Sequence, residues 1–185
     1  MSWIEWIAAA LGFANVALLV RRSVWNYPFG LAMVSLYVLI FWQSRLYGEA
    51  GLQVFFFAAQ VWGWWLWLRV GGQDDGVPVG WLSMTERLAW AGGIALGSAG
   101  LALAMHRFTN ASAPFVDGPI TVASIAAQIL LALRRTENWV LWIAVDLASV
   151  GLYLWRGLYP TAVLYVAFLV LSVMGLRQWR KAARA

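Results

Sequence analysis

Residues 46–67, LYGEAGLQVFFFAAQVWGWWLW, return without gaps as residues 158–179, LYPTAVLYVAFLVLSVMGLRQW. The register pairs Leu46-Tyr47 with Leu158-Tyr159, Ala50 with Ala162, Leu52 with Leu164 and Val54 with Val166. It continues through Phe56 with Phe168, Val61 with Val173, Gly63 with Gly175 and Trp67 with Trp179. Apolar composition produces some matches by chance, but Tyr, Gly and Trp coinciding at one spacing point to an internal duplication. Upstream, Val20-Arg21-Arg22-Ser23 resembles Leu133-Arg134-Arg135-Thr136 at nearly the same spacing. The second helices of the two copies align only after a few residues are removed from one.

Around this repeat the chain is apolar throughout: 185 residues, 63% hydrophobic and 11% charged, outside the range of soluble domains. About 20 apolar residues span a bilayer core. The sequence divides into seven such stretches: Trp3 to Val20, Trp25 to Ser44, Ala50 to Leu68, Met84 to Met105, Pro119 to Leu133, Trp139 to Trp155 and Pro160 to Gln178. The first lacks a basic leader and a peptidase site, so it reads as a retained helix. The expectation is an all-α membrane protein, a single membrane domain over 1–185. Repeat one covers about 3–69, a linking helix about 84–105 and repeat two about 119–179. An odd number of helices would invert adjacent copies, and the single linking helix makes them parallel instead. Parallel repeats with a site between them near midplane are one plan of transporters.

Ten of the thirteen basic residues fall on one face: Arg21, Arg22, Arg69, Arg87, Arg134, Arg135, Arg177, Arg180, Lys181 and Arg184. Arg45, Arg107 and Arg156 fall on the other. By the positive-inside rule the first face is cytoplasmic, which places the N-terminus outside and the C-terminus inside a bacterial inner membrane. The net charge of +5 is then a topology signal with contact to membrane lipid, not a nucleic-acid footprint. Cysteine is absent, which excludes disulfides and thiolate chemistry. His106 is the single histidine, expected in a connecting loop. No P-loop, Ser-His-Asp set or metal-ligand cluster is present, so neither an enzyme nor a cofactor or metal is expected.

Polar side chains within the apolar stretches mark the candidate site. Trp139, Trp142 and Asp146 are spaced three and four apart and share one helix face. A carboxylate at membrane depth costs about 2.5–3.5 kcal/mol on insertion scales, so it usually faces a cavity, a partner or a substrate. Aromatic faces beside a carboxylate suit a flat cation. Gln60 lies near the middle of the third stretch, with Gln53 seven residues before it on the same face. Asn15 and Gln128 fall inside the first and fifth stretches, and Tyr37 and Trp62 are further candidate walls. Trp3, Trp6, Trp25, Trp64, Trp65, Trp67, Trp155 and Trp179 read as interfacial belts.

Asn26-Tyr27-Pro28-Phe29-Gly30, Leu46-Tyr47-Gly48, Leu52-Gln53, Gly63-Trp64-Trp65-Leu66-Trp67 and the segment from Glu137 to Asp146 resemble the PnuC family of bacterial vitamin transporters. The resemblance runs from about Trp3 to Trp179. It implies a 3+1+3 arrangement similar to a SWEET sugar carrier, a homotrimer, and facilitated diffusion of nicotinamide riboside, trapped inside by a separate cytoplasmic kinase. It places the family's W-x-x-W-x-x-x-N/D motif on Trp139, Trp142 and Asp146, and its third-helix glutamine on Gln60. The acidic form of the motif leaves thiamine as an alternative cargo, while neutral riboflavin makes poorer use of Asp146. A ligand-binding membrane subunit that moves nothing is the alternative of another class.

Overall fold

The computed structural model describes residues 3–43, 47–70, 77–109, 113–155, 157 and 159–184. Arg45 and Arg156 of the charge count, Leu46 and Leu158 of the repeat, and the Gly-Gly and Asp-Asp-Gly turn at 71–76 lie outside these residues. The described residues form seven helices: α1 Trp3–Val20, α2 Asn26–Gln43, α3 Tyr47–Val70, α4 Met84–Phe108, α5 Pro114–Ala132, α6 Glu137–Trp155 and α7 Tyr159–Ala182. Four stretches, α4, α5, α6 and residues Ala162–Ala182 of α7, are long and apolar enough to cross a membrane, and α1 and α2 hold shorter apolar runs. The protein is an all-helical, multi-pass membrane protein.

Most helix boundaries shift by one to five residues from the sequence expectation, and two of the shifts relocate named residues. α5 begins at Pro114, where the missing proline N–H falls among the unbonded donors of the first turn, and Pro119 lies inside the helix. α4 runs on to Phe108, so His106 is in its last turn, its ring 5.5 Å from that of Phe115, rather than in a loop. At the other end of α4, Ser83 and Glu86 form a reciprocal capping box.

Helices α2 and α3 begin and end at residues that map, with no gap, onto 138–155 and 159–182 of α6 and α7. The deletion expected between the second helices is therefore not needed, because α6 extends only one residue further at its start. The same register pairs Arg22 with Arg134, not with Arg135. Both occupy the left-handed region, at φ 57° and 59°, where a side chain costs about 1 kcal/mol. Each ends its helix in a Schellman pattern: Arg22 N–H donates to Leu19 O and Ser23 N–H to Leu18 O, and Arg134 and Arg135 donate likewise to Leu131 and Leu130. One turn on, the Asn26 and Asn138 amides donate to Ser23 O and Arg135 O, each at 2.7 Å.

Helix contacts form a ring in the order α1, α2, α3, α5, α6, α7 and back to α1. Among the described residues the backbone of α4 packs closely on α5 alone, while its Arg87 side chain reaches Glu137 of α6. Residues 77–82 strap the two turns together at the basic end of the ring. Val77 N–H donates to Arg22 O, while Gly80 N–H donates to Arg134 O and Gly80 O accepts from Thr136 N–H. The guanidinium groups of Arg22 and Arg134 donate to the adjacent strap carbonyls of Val77 and Pro78, both at 3.2 Å. Glu137 anchors the far end, accepting from Leu82 N–H and pairing with Arg87 at 2.8 Å.

Candidate functional site

Large aromatic side chains close the basic end of the ring. Tyr27 on α2 stands edge-on to Trp67 on α3 at 5.2 Å, and Trp139 on α6 stands edge-on to Trp179 on α7 at 5.6 Å. The two tryptophans of α3 and α7 meet at 6.0 Å. Each pair has a glycine seat. A Cβ on Gly63 would lie 2.7 Å from the Tyr27 hydroxyl, and one on Gly175 would lie 2.5 Å from the Trp139 indole. Trp67 Nε1 donates to Ala132 O and Trp179 Nε1 to Leu19 O, so each bond joins one half of the ring to the other. Leu19, Val20, Leu131 and the strap residue Val77 complete this cluster.

Trp67 and Trp179, expected in interfacial belts, are therefore fully buried. Position near a helix end suggested the belt, but the glycine one turn earlier lets a ring of the neighbouring helix, Tyr27 or Trp139, close over each indole. Trp139 is also buried here, against Gly175 and Trp179. Trp142, half-buried one turn deeper, packs against the cluster.

Above the aromatic cluster lies a polar layer. Gln60 and Asn15 converge on Gly30, whose missing Cβ leaves room for both amides; Asn15 Nδ2 would stand 2.6 Å from such a carbon. Asn15 Nδ2 also donates to Asn26 O at 2.7 Å, and Gln60 is buried. In the repeat register Gly30 corresponds to Trp142, so one half of the ring offers amides where the other offers an indole face. Asp146 is buried on α6 and accepts a 2.8 Å hydrogen bond from Ser172 Oγ on α7. Among the described residues it is the only carboxylate in the middle of a helix, and the basic residues described sit towards helix ends or in connections. A flat cation would meet Trp142 as a stacking face, Asp146 as a counter-charge and Gln60 as a partner for hydroxyls.

A second aromatic layer lies beyond Asp146. Tyr153 and Tyr165 are hydrogen-bonded, with ring centroids 5.1 Å apart, and Tyr165 is within electrostatic reach of Asp146 and Tyr37. Phe168 packs on Tyr165 at 6.0 Å and on Phe13 at 6.2 Å. Among the expected site residues, the structure thus gathers Trp139, Trp142, Asp146, Gln60, Asn15 and Tyr37 in or against three successive layers. Gln53 is half-buried two turns along α3 from Gln60. Gln128 is buried on α5, one position past the counterpart of Asn15. Trp62 points away from Gln60 around α3 and is 40% exposed, which removes it from the interior.

Sequence reasoning missed Ser172, Gly30 and Tyr165. The repeat carried a signal for two of them: Ser172 is the counterpart of Gln60, and Tyr165 that of Gln53. Gly30 gave none, because its role depends on side chains arriving from α1 and α3.

A family model described as nicotinamide mononucleotide transporter matches residues 2–181. The nicotinamide riboside transporter PnuC of Escherichia coli (strain K12) is 30% identical over 100% of this chain and 87% of its own length. The riboflavin/roseoflavin transporter RibM of Streptomyces davaonensis is also 30% identical, over 96% of this chain and 84% of its own. A crystal structure of the vitamin B3 transporter PnuC superposes with a TM-score of 0.82 at 29% identity, covering 99% of this chain and 83% of that one. With its seven helices and buried polar layer, the chain belongs to this family of membrane transporters, the nicotinamide mononucleotide transporter or PnuC family, and is not an enzyme.

Proposed function

We propose that the protein carries nicotinamide riboside across the bacterial inner membrane by facilitated diffusion, and that phosphorylation by a cytoplasmic kinase retains the product. The observation that carries this reading is Asp146, held by Ser172 beside Trp142 in the polar layer. A pyridinium ring gains from both an aromatic face and a fixed negative charge. Trp139 forms the floor under Trp142, Gln60 and Asn15 serve the ribose hydroxyls, and Gln53, Gln128 and Tyr37 lie along the path to them. The RibM relative supports a second reading, riboflavin, whose neutral ring would leave the carboxylate without a counter-charge. Thiamine, also cationic, is the third cargo.

Proteoliposomes discriminate these. Labelled nicotinamide riboside should equilibrate without an ion gradient and should not accumulate. An inside-negative potential should drive entry of the cation, at about 2.3 kcal/mol per 100 mV per charge. Binding without equilibration would identify a ligand-binding subunit, and stronger competition by riboflavin or thiamine would reassign the cargo.

The ring of contacts, with α1 on α7 answered by α3 on α5, supports two parallel three-helix units joined by α4 in the SWEET-like 3+1+3 plan. A homotrimer belongs to the same reading through the family. The basic end then faces the cytoplasm. In this cysteine-free chain, Thr109→Cys should react with an impermeant thiol reagent in intact cells and Ala183→Cys should not. The reverse labelling would invert the orientation.

A further inference from the structure

Among the described residues the backbones of α3 and α4 make no close approach, although both pack on α5. Between them, at the basic end, is a crevice of about 300 Å³. Its walls include Leu66 and Val70 of α3 and Trp90 of α4, and its mouth carries Arg69, Arg134 and Arg135. The one carboxylate at the mouth, Glu86, is turned to its own helix start, accepting from Ser83 N–H at 2.7 Å. Among the described residues none of the three cations forms a salt bridge: Arg69 lies 3.7 Å over the Trp65 ring, Arg134 and Arg135 donate to the carbonyls of Pro78 and Trp81, and Arg135 is in electrostatic reach of Glu86. Burial and the neighbouring Arg135 charge both hold the Arg134 guanidinium below its ordinary value, so a counter-anion there would relieve it.

We propose that this crevice is a specific site for an anionic phospholipid, with the headgroup phosphate held by Arg69, Arg134 and Arg135 and an acyl chain lying along Leu66, Val70 and Trp90. Charge and shape agree on this occupant: the cations sit at the end of the helices where a headgroup lies, and the apolar walls continue from them into the span. A soluble anion would use the arginines and leave the walls bare. The site is separate from the polar layer and does not depend on which vitamin is carried.

The test is equilibrium binding of fluorescent phosphatidylglycerol and phosphatidylcholine to the full chain in neutral detergent. Phosphatidylglycerol should bind more tightly. Arg69→Gln, which leaves the strap bonds intact, should weaken it about fivefold, the effect of one interfacial cation, and leave phosphatidylcholine unchanged. Arg180→Gln, an interfacial arginine of α7 outside the crevice, should change neither. Trp90→Ala keeps all three arginines and removes part of the chain wall, so it should weaken phosphatidylglycerol severalfold. Equal binding of the two lipids, equal effects of Arg69→Gln and Arg180→Gln, no effect of Trp90→Ala, or displacement by millimolar inorganic phosphate would each overturn the site.

Discussion

Asp146→Asn is expected to weaken binding of nicotinamide riboside about tenfold to a hundredfold, and Asp146→Leu to abolish uptake. Removing the charge takes away an interaction of about 1.5–3 kcal/mol with a buried cation, and 1.4 kcal/mol is a factor of about ten. Asparagine retains an oxygen for the Ser172 hydroxyl, which now donates to Asp146 at 2.8 Å, so the α6–α7 contact should survive. Leucine removes that acceptor as well and leaves a buried hydroxyl without it, at about 1–3 kcal/mol. Calorimetry with the cation, alongside thermal unfolding, separates the two roles. If both substitutions lowered stability together and left affinity unaltered, Asp146 would serve helix packing alone. Riboflavin affinity should respond little to Asp146→Asn, which makes the pair of ligands an internal control for charge.

Two glycines should fail in opposite ways. In Gly175→Ala the new methyl would stand 2.5 Å from the Trp139 indole, a rigid ring already held edge-on by Trp179. Overpacking of this kind costs about 1–3 kcal/mol, and each kcal/mol lowers the unfolding midpoint by roughly 2–4 °C in a chain of this size. In Gly30→Ala the methyl meets the mobile ends of Gln60 and Asn15, which can swing aside. Stability should then hold while affinity falls severalfold, because the amides leave the polar layer. Melting curves and binding isotherms of the two variants give the crossed pattern. A Gly175→Ala protein as stable as the parent would mean that the aromatic cluster yields freely.

The number of helices was legible from apolar length alone, and so was the pairing of their ends, since α3 and α7 repeat from Tyr47 and Tyr159 onward. The start of α5 was not, because Pro114 and Pro119 both satisfy the preference for proline in a first turn and only packing chooses between them. Trp142, Asp146 and Gln60 stood out as a carboxylate, an amide and an indole at depth. Trp67 and Trp179 were misread because helix-end position does not distinguish lipid from interior. The Gly63–Trp67 and Gly175–Trp179 spacing, repeated in both copies, was the available clue, since a glycine one turn before an indole makes a seat for an incoming ring. Ser172 looked like any small polar residue in a membrane helix, and its partner lies 26 positions away in sequence.

The strap has a consequence for how the protein is made. Val77 is buried among Leu19, Tyr27 and Trp67, which precede it in the chain, and Leu131, Trp139 and Trp179, which follow. Synthesis runs from the N-terminus, so when residues 77–82 leave the ribosome half of their cluster does not yet exist. Gly80 likewise waits for Arg134 and Thr136. Until the later helices are in place, Trp67 lacks Ala132 O and the Trp179 ring, and Val77 lacks Leu131, Trp139 and Trp179. Only insertion of the seventh helix, bringing Trp179, completes the lock, and the last span translated governs when the first becomes native.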